Sequence, residues 1–398
     1  MYYTIIGFAM VIFMASNFSP ELSYSEDKFS KSYIAENSNI LENNKEYYSV
    51  DNSIEDFNFV AVGDFSCNED AKKTVINIIN TDPEMFLGLG DYSYETSAKC
   101  WKDIVGGIDP QKMKIAFGNH EFEGQSLLKQ YMEYTNLDNQ YYSFDYSNVH
   151  FISMATEAPY EQGSEQFNFV KHDLMKTKTN PSIDWIIVYY HQPMYTSKTN
   201  HEGLESLRDL YHSLFNEYGV DLVLQGHVHN YQRTHPLTYN SESPSNPTIS
   251  QSAILDNGNN EENIYVNPEG PIFAIVGTGG KELHGLDDQA YFTANQFEDH
   301  GFLELKTINN GKSLVGQFYS NDGRIIKDKF IIDKSSSSVI RSFDDTTPNN
   351  NLVICDKLAS FGKALFDERE QGHITDEQVL LLGKLVMKLM TESGCGFN

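Results

Sequence analysis

Five short segments, in one fixed order, constrain this chain more than any other feature. They are Gly63-Asp64-Phe65-Ser66, Gly90-Asp91-Tyr92-Ser93-Tyr94, Gly118-Asn119-His120-Glu121, Val188-Tyr189-Tyr190-His191 and Gly226-His227-Val228-His229. Each sets an oxygen or nitrogen metal ligand beside glycine or at the end of an apolar run. Together they supply three anionic oxygens (Asp64, Asp91, Tyr94), one amide (Asn119) and three imidazoles (His191, His227, His229). That set is enough for two cations sharing one carboxylate, with Asp91 as the bridging candidate. Glycine before Asp64, Asp91, Asn119 and His227 lets the backbone turn tightly and approach an ion without a Cβ clash. His227 and His229 lie two apart, so an extended segment turns both to the same side. Taken singly, each Asp is an ordinary turn residue and each His an ordinary core side chain. Their joint order points to a dinuclear metal site.

The apolar runs that carry these segments read as strands at 56–62, Met85–Leu89, Lys114–Phe117, Val149–Met154, Trp185–Tyr190 and Asp221–Leu224, with a helix over Lys72–Ile79. Apolar strand, polar ligand at its carboxyl end, then helix is the pattern of an α/β layered protein, whose binding groups gather at those strand ends. Alternation in Tyr141–Tyr146 and Val149–Met154 predicts a hairpin-like pair. Pro271–Val276, Phe302–Lys306 and Ser313–Tyr319 predict antiparallel strands that close the domain. Residues 238–268, dense in Asn, Ser and Pro, read as a surface insertion.

A length of 398 residues with 40% hydrophobic composition allows one large globular domain plus added segments. The net charge of −27 argues against nucleic acid as a structural partner, because the long-range field repels it. An anionic substrate then needs a local positive site, which metal ions provide. Residues 1–18 read as a signal peptide or N-terminal anchor. Their apolar run Ile5–Ala15 falls short of the roughly 20 residues a bilayer span needs. No basic residue precedes Lys28, and Phe13 is too bulky for the cleavage pattern before Ser16. This predicts an extracytoplasmic protein, secreted or membrane-anchored. A polar linker at 19–50, a main domain at 51–333, a linker at 334–350 and a helical hairpin at 351–398 follow. In the hairpin Thr375 and Gln378 form a capping box, and Val379, Leu382, Val386 and Leu389 share one face. It reads as a packing element or a partner-docking module. Four cysteines allow three pairings. Cys67 and Cys100 each follow a strand-end ligand segment, which sets their loops side by side. Cys355 and Cys395 fall at the same end of the predicted hairpin. Export makes both disulfides plausible.

The five segments resemble those of the calcineurin-like metallophosphoesterase superfamily, and within it the purple acid phosphatases, over residues 57–331. Most of the superfamily carries a His where this chain has Ser66; the purple subgroup instead takes a tyrosinate from a GDxxY segment, which Gly90–Tyr94 spells. Phenolate is a hard anionic ligand that favours Fe(III). The resemblance implies an α/β fold, a metallophosphoesterase β-sandwich with flanking helices in α/β/β/α layers. It implies that Asp64, Asp91, Tyr94 and His229 hold the ferric ion. Asp91, Asn119, His191 and His227 then hold a divalent partner, Fe, Zn or Mn. It also implies that His120 and His201, ten residues after His191, contact substrate phosphate, with His201 as general acid for the leaving alkoxide. The subgroup usually has Gly at position 66, so Ser66 is a departure beside the metal.

The implied reaction is hydrolysis of phosphate monoesters, on small molecules or proteins, by metal-bound hydroxide attacking phosphorus in line. A phosphodiesterase or nucleotide phosphatase would use the same core with different pocket walls. A surface interaction protein with a vestigial site would have lost ligands, and all seven are present here. The remaining histidines receive no role, although His284, near the Gly277–Gly280 turn, lies closest to a family-like segment.

Overall fold

The computed structural model describes residues 55–199, 201–250, 253–254 and 263–335. The predicted leader, the first linker, the second linker beyond Ser335, the helical hairpin, Cys355 and Cys395 lie outside them.

Two sheets make the frame. The first has eight strands in the order β11 (Ala253–Ile254), β12 (Asn263–Val266), β17 (Ile326–Asp333), β16 (Ser313–Ser320), β15 (Gly301–Ile308), β1 (Asn58–Val62), β2 (Met85–Leu89) and β3 (Met113–Ala116). The second has seven: β14 (Thr293–Phe297), β8 (Tyr231–Thr234), β13 (Ile272–Val276), β7 (Leu222–Gln225), β6 (Trp185–Tyr189), β5 (Val149–Ser153) and β4 (Tyr142–Tyr146). A small ribbon pairs β9 (Leu237–Thr238) with β10 (Thr248–Ile249). Among the described residues five α-helices follow in chain order: α1 (Glu69–Ile79), α2 (Lys99–Ile104), α3 (Gln125–Thr135), α4 (Glu165–Thr177) and α5 (Glu205–Tyr218).

Central strands are buried on both faces, and successive side chains alternate between two cores. In β6 and its extension, Trp185, Ile187 and Tyr189 join the core shared with the first sheet, while Ile186, Val188 and Tyr190 join the core beneath α4 and α5. Both faces of this strand are covered, which is why it reads as continuous apolar sequence rather than as an alternating one. Phe59 of β1 meets Phe151 of β5 edge-on at 5.3 Å, so the two sheets interdigitate. Ala71, Val75 and Ile78 bury α1 in the core that includes the first sheet, and Val170, Leu174, Leu207, Tyr211 and Phe215 bury α4 and α5 against the second. The layers are therefore α/β/β/α, as anticipated.

Strand limits move by one or two residues from those read in the sequence. The first helix starts three residues earlier than its periodicity suggests. The Asn68 side chain accepts the Ala71 N–H at 2.9 Å and caps it, with Glu69 and Asp70 in the first turn facing the positive end of the helix. The 238–268 stretch departs further from expectation, because not all of it is surface insertion. Asn263–Val266 adds β12 parallel to β17, and Tyr265 is fully buried. Its hydroxyl accepts from Arg233 at 2.9 Å, and Arg233 donates two bonds to Asp328 at 2.6 and 3.0 Å. A buried ion pair needs such additional polar partners to offset the loss of water.

Parallel pairing of β1 with β2, β2 with β3, β5 with β6 and β6 with β7 points these strands' carboxyl ends the same way within each sheet. Backbone bonds then join the two edges: Gly63 N–H donates to the Val276 carbonyl, and Gly279 N–H to the Gly63 carbonyl, both at 2.9 Å. The ligand-bearing loops meet along this seam.

Candidate metal centre

Three of the five ligand-bearing loops reach their positions through backbone that side chains rarely adopt. Asp64, Ser66, Asp91, Tyr94 and His227 all have left-handed φ, of 61, 72, 54, 55 and 68°. Non-glycine residues in that region cost conformational energy, and their concentration at one place marks a site held by its surroundings. The left-handed φ at position 66 would suit glycine; Ser66 adopts it with a side chain.

Asp64, Tyr94 and His229 form one group. The Tyr94 hydroxyl donates to Asp64 Oδ1 at 3.1 Å and lies 3.0 Å from His229 Nε2, and that nitrogen is 3.5 Å from Asp64 Oδ1. Asp91, His191 and His227 form the second. His191 Nε2 lies 3.2 Å from Asp91 Oδ2 and 3.2 Å from His227 Nδ1. The other Asp91 oxygen is already engaged, accepting the His120 N–H at 3.0 Å, which leaves Oδ2 facing the ring nitrogens. Asp64 Oδ2 accepts the His227 N–H at 2.9 Å and ties the two groups together.

The outer partners orient the rings. His191 Nδ1 bonds the Leu89 carbonyl at 2.8 Å, across the seam between the sheets, and His229 Nδ1 bonds the Glu282 carbonyl at 2.8 Å. Each carbonyl fixes the proton on Nδ1 and turns the Nε2 lone pair inward, the arrangement a metal-binding imidazole needs. Asn119 lies between Gly118 and His120, both set against Asp91. Its Oδ1 is buried without a hydrogen-bond partner. A buried amide oxygen left without a donor costs free energy, which a coordinated cation would offset. Gly118 leaves room for such a cradle: a Cβ there would run into Asp91 Oδ1 and sit 2.8 Å from the His191 ring.

Without a metal, the two carboxylates hold a proton on His191 that a bound cation would displace. Burial alone would keep His191 neutral, but Asp91 and Asp64 push its pKa up to about 10. Burial would raise Asp91, yet His191 and the His120 amide hold it at about 2. Buried His227, beside the His191 charge, is pushed down to about 4. Burial, then the Asp64 and Asp91 charges, drive the Tyr94 phenol far above its usual value, so an ionised phenolate here requires a cation beside it. Donor set, orphaned amide and glycine cradle together fit a metal ion, with Asp91, His191 and His227 as one group that could hold it.

The residues assigned to substrate lie at the rim. His120 Nε2 is 3.8 Å from Asp91 Oδ2, and its Nδ1 contacts Glu123 at 2.8 Å. The His201 ring centroid is 4.8 Å from that of His227. Cys67 and Cys100 are disulfide-bonded with Cα atoms 6.0 Å apart, bracing the loop after Asp64 against the segment after Tyr94.

Three contributors escaped the sequence reading. The fully buried Glu121 carboxylate accepts the N–H groups of Asp91, Tyr92 and Gly118 at 2.8, 2.9 and 2.8 Å, locking two ligand loops together. Its position three residues after Gly118, in capping-box spacing, was the available signal. His284 stacks on His229 at 3.9 Å and on His201 at 4.7 Å, and its Nδ1 accepts the His229 N–H at 3.1 Å. Lys281 sets its ammonium over the Tyr94 ring. The sequence singles out His284 only by its nearness to the Gly277–Gly280 turn and gives it no role, and Lys281 left no local pattern. Of the other histidines, His212 is a satisfied core residue, bonded to Tyr195 at 2.7 Å and to the Leu237 carbonyl at 3.1 Å.

The Calcineurin-like phosphoesterase family model matches residues 57–231. Purple acid phosphatase 22 of Arabidopsis thaliana is 31% identical over 224 residues, 51% of this chain and 50% of that protein. The chain spans about half the length of such curated relatives. Purple acid phosphatase PPD1 from yellow lupin (Lupinus luteus) seeds shares the fold with a TM-score of 0.55 at 21% identity, covering 75% of this chain and 57% of the lupin chain. GAP50, the anchor in the inner membrane complex of Plasmodium, does so with a TM-score of 0.52 at 19% identity, covering 74% of this chain and 95% of its own. At these identities both structural likenesses speak to the fold alone. With that fold, this ligand order and the tyrosine of Gly90–Tyr94 in place, residues 57–231 are similar to the calcineurin-like phosphoesterases, and the chain is similar to the purple acid phosphatases.

Proposed function

We propose that the chain hydrolyses phosphate monoesters with a dinuclear centre of Fe(III) and a divalent ion. The observation that carries this is the meeting of two ligand groups, Asp64–Tyr94–His229 and Asp91–His191–His227, beside the unpartnered Asn119 oxygen. Tyr94 distinguishes a ferric site from a purely divalent one. When bound, the metals would neutralise phosphate oxygens and acidify water. The protein's part is positional. Asp64, Asp91, Asn119, Tyr94, His191, His227 and His229 hold the ions, and Glu121 keeps two of the ligand loops in register. His120 and His201 contact the phosphate, His201 delivering a proton to the leaving oxygen. The substrate is a phosphorylated small molecule or protein. The N-terminal apolar run and the Cys67–Cys100 disulfide support a site of action outside the cytoplasm, secreted or tethered through that segment. Among the described residues no helix is long and apolar enough to cross a membrane.

The test is metal analysis and a visible spectrum on the full chain, followed by turnover of p-nitrophenyl phosphate and bis(p-nitrophenyl) phosphate. About two metals per chain, a tyrosinate-to-ferric band and faster monoester turnover are expected. His191→Ala should remove turnover with the fold intact; near-normal rates in that variant would sink the dinuclear reading. Faster turnover of the diester would assign the chain to phosphodiester or nucleotide substrates. A chain that binds no metal would be an interaction protein built on this fold.

A further inference from the structure

Lys281 follows the Gly277-Thr278-Gly279-Gly280 turn, and its main chain is pinned from several sides. Its N–H donates to the Asp64 carbonyl at 2.9 Å, and its own carbonyl accepts from His300 Nε2 at 2.9 Å. Gly279 N–H donates to the Gly63 carbonyl at 2.9 Å. At Gly280 the backbone comes so close to α1 that a Cβ would sit 2.5 Å from the Ala71 nitrogen. The turn is thus clamped to the loop that carries Asp64. It delivers the Lys281 ammonium to 4.2 Å from the centre of the Tyr94 ring. Many lysines of this acidic chain pair with carboxylates, as Lys72, Lys99 and Lys312 do. Among the described residues Lys281 has no such ion pair, so its charge is directed at the aromatic ring.

We propose that Lys281 is a positioning residue that acts through Tyr94, its ammonium tempering how strongly the phenolate donates electrons to the ferric ion. The inference rests on Tyr94 being a ferric ligand, as proposed above. A cation over an aromatic face stabilises the π electrons of that ring. In a bound phenolate those same π electrons supply the charge transfer that gives colour. With Lys281 in place the transition needs more energy, and less electron density reaches the iron, which stays a stronger Lewis acid. An outer-sphere group of this kind adjusts a metal through its ligand without touching it.

The experiment compares the iron-loaded full chain as wild type, Lys281→Met and Lys281→Arg, reading band position and iron content together. Lys281→Met should shift the visible band to longer wavelength at unchanged iron per chain, and Lys281→Arg should return it close to the wild-type position. An unmoved band in a fully loaded Lys281→Met protein overturns the proposal while leaving Tyr94 a ligand. Equal shifts in both variants, or iron lost from both, assign the side chain a packing role and overturn it as well. A colourless iron-loaded wild type overturns the reading of Tyr94 as a ligand, and this inference with it.

Discussion

Gly118→Ala isolates the shape of the metal cradle from every other property of its loop. The residue sits at φ −101° and ψ −178°, extended backbone that alanine adopts freely, so no backbone strain enters. Its N–H bond to Glu121 at 2.8 Å would also survive. What changes is space: the new methyl would overlap Asp91 Oδ1 and lie 2.8 Å from two His191 ring carbons. Real Cβ atoms do not come that near, so Asp91, His191 or the loop must move by roughly an ångström. A displacement of that size costs on the order of 100-fold in rate where reacting groups must be aligned. Overpacking costs about 1–3 kcal/mol of stability. For a domain of this size that is at most several degrees in Tm, so the protein should stay folded at 25 °C. Gly124→Ala, six residues on, is the control. A Cβ there meets nothing within 4 Å, and the change costs no more than the helix N-cap preference of about 1 kcal/mol. The assay is p-nitrophenyl phosphate turnover with metal content and thermal unfolding for both variants. Turnover should fall about 100-fold or metal occupancy should drop in Gly118→Ala alone. Full metal content with near wild-type turnover in Gly118→Ala would refute the cradle.

Two other perturbations test the supports around the site and beyond it. Glu121→Gln replaces a buried acceptor of three backbone N–H groups with an amide that sets its own donor against at least one of them. It should destabilise by about 1–3 kcal/mol in urea unfolding and loosen metal binding, and unchanged stability would mean that the loops are held elsewhere. His150 bridges Asp145 of β4 and Asp173 of α4 at 2.5 and 2.8 Å; burial opposes its charge, but the two carboxylates raise its pKa above 6.5, while Asp173 is held below 3.8. Because the folded His150 value is raised, its contribution is full below pH 6.5 and is lost as pH rises through the raised value; the Asp173 contribution is full above 3.8 and is lost as pH falls through its lowered value. The Tm difference between wild type and His150→Gln should therefore peak in mildly acidic buffer and shrink toward pH 8, and a difference that grows with pH would contradict the clamp.

Much of this molecule was legible in the chain because the signals act over a few residues. Continuous apolar runs placed β2 and β6 to within a residue, and glycine beside a ligand marked the ends of β1, β2, β3 and β7. The order of Asp64, Asp91, Tyr94, Asn119, His191, His227 and His229 was enough to suggest two metals. Cys67 and Cys100 were paired from the strand ends they follow. The structure alone decided what the sheet order brings across the seam. His191 takes its orientation from the Leu89 carbonyl, 102 residues earlier. His284 lies on His229 across 55 residues, and Lys281 over Tyr94 across the two edges. Tyr265 joined the core because a buried Arg233–Asp328 pair needed a polar partner, a need that arises only once those strands are assembled. Composition and periodicity report which faces of a strand are dry. Which loop then stands beside which is set by how the two sheets pack, and the contacts that orient ligands belong to that packing.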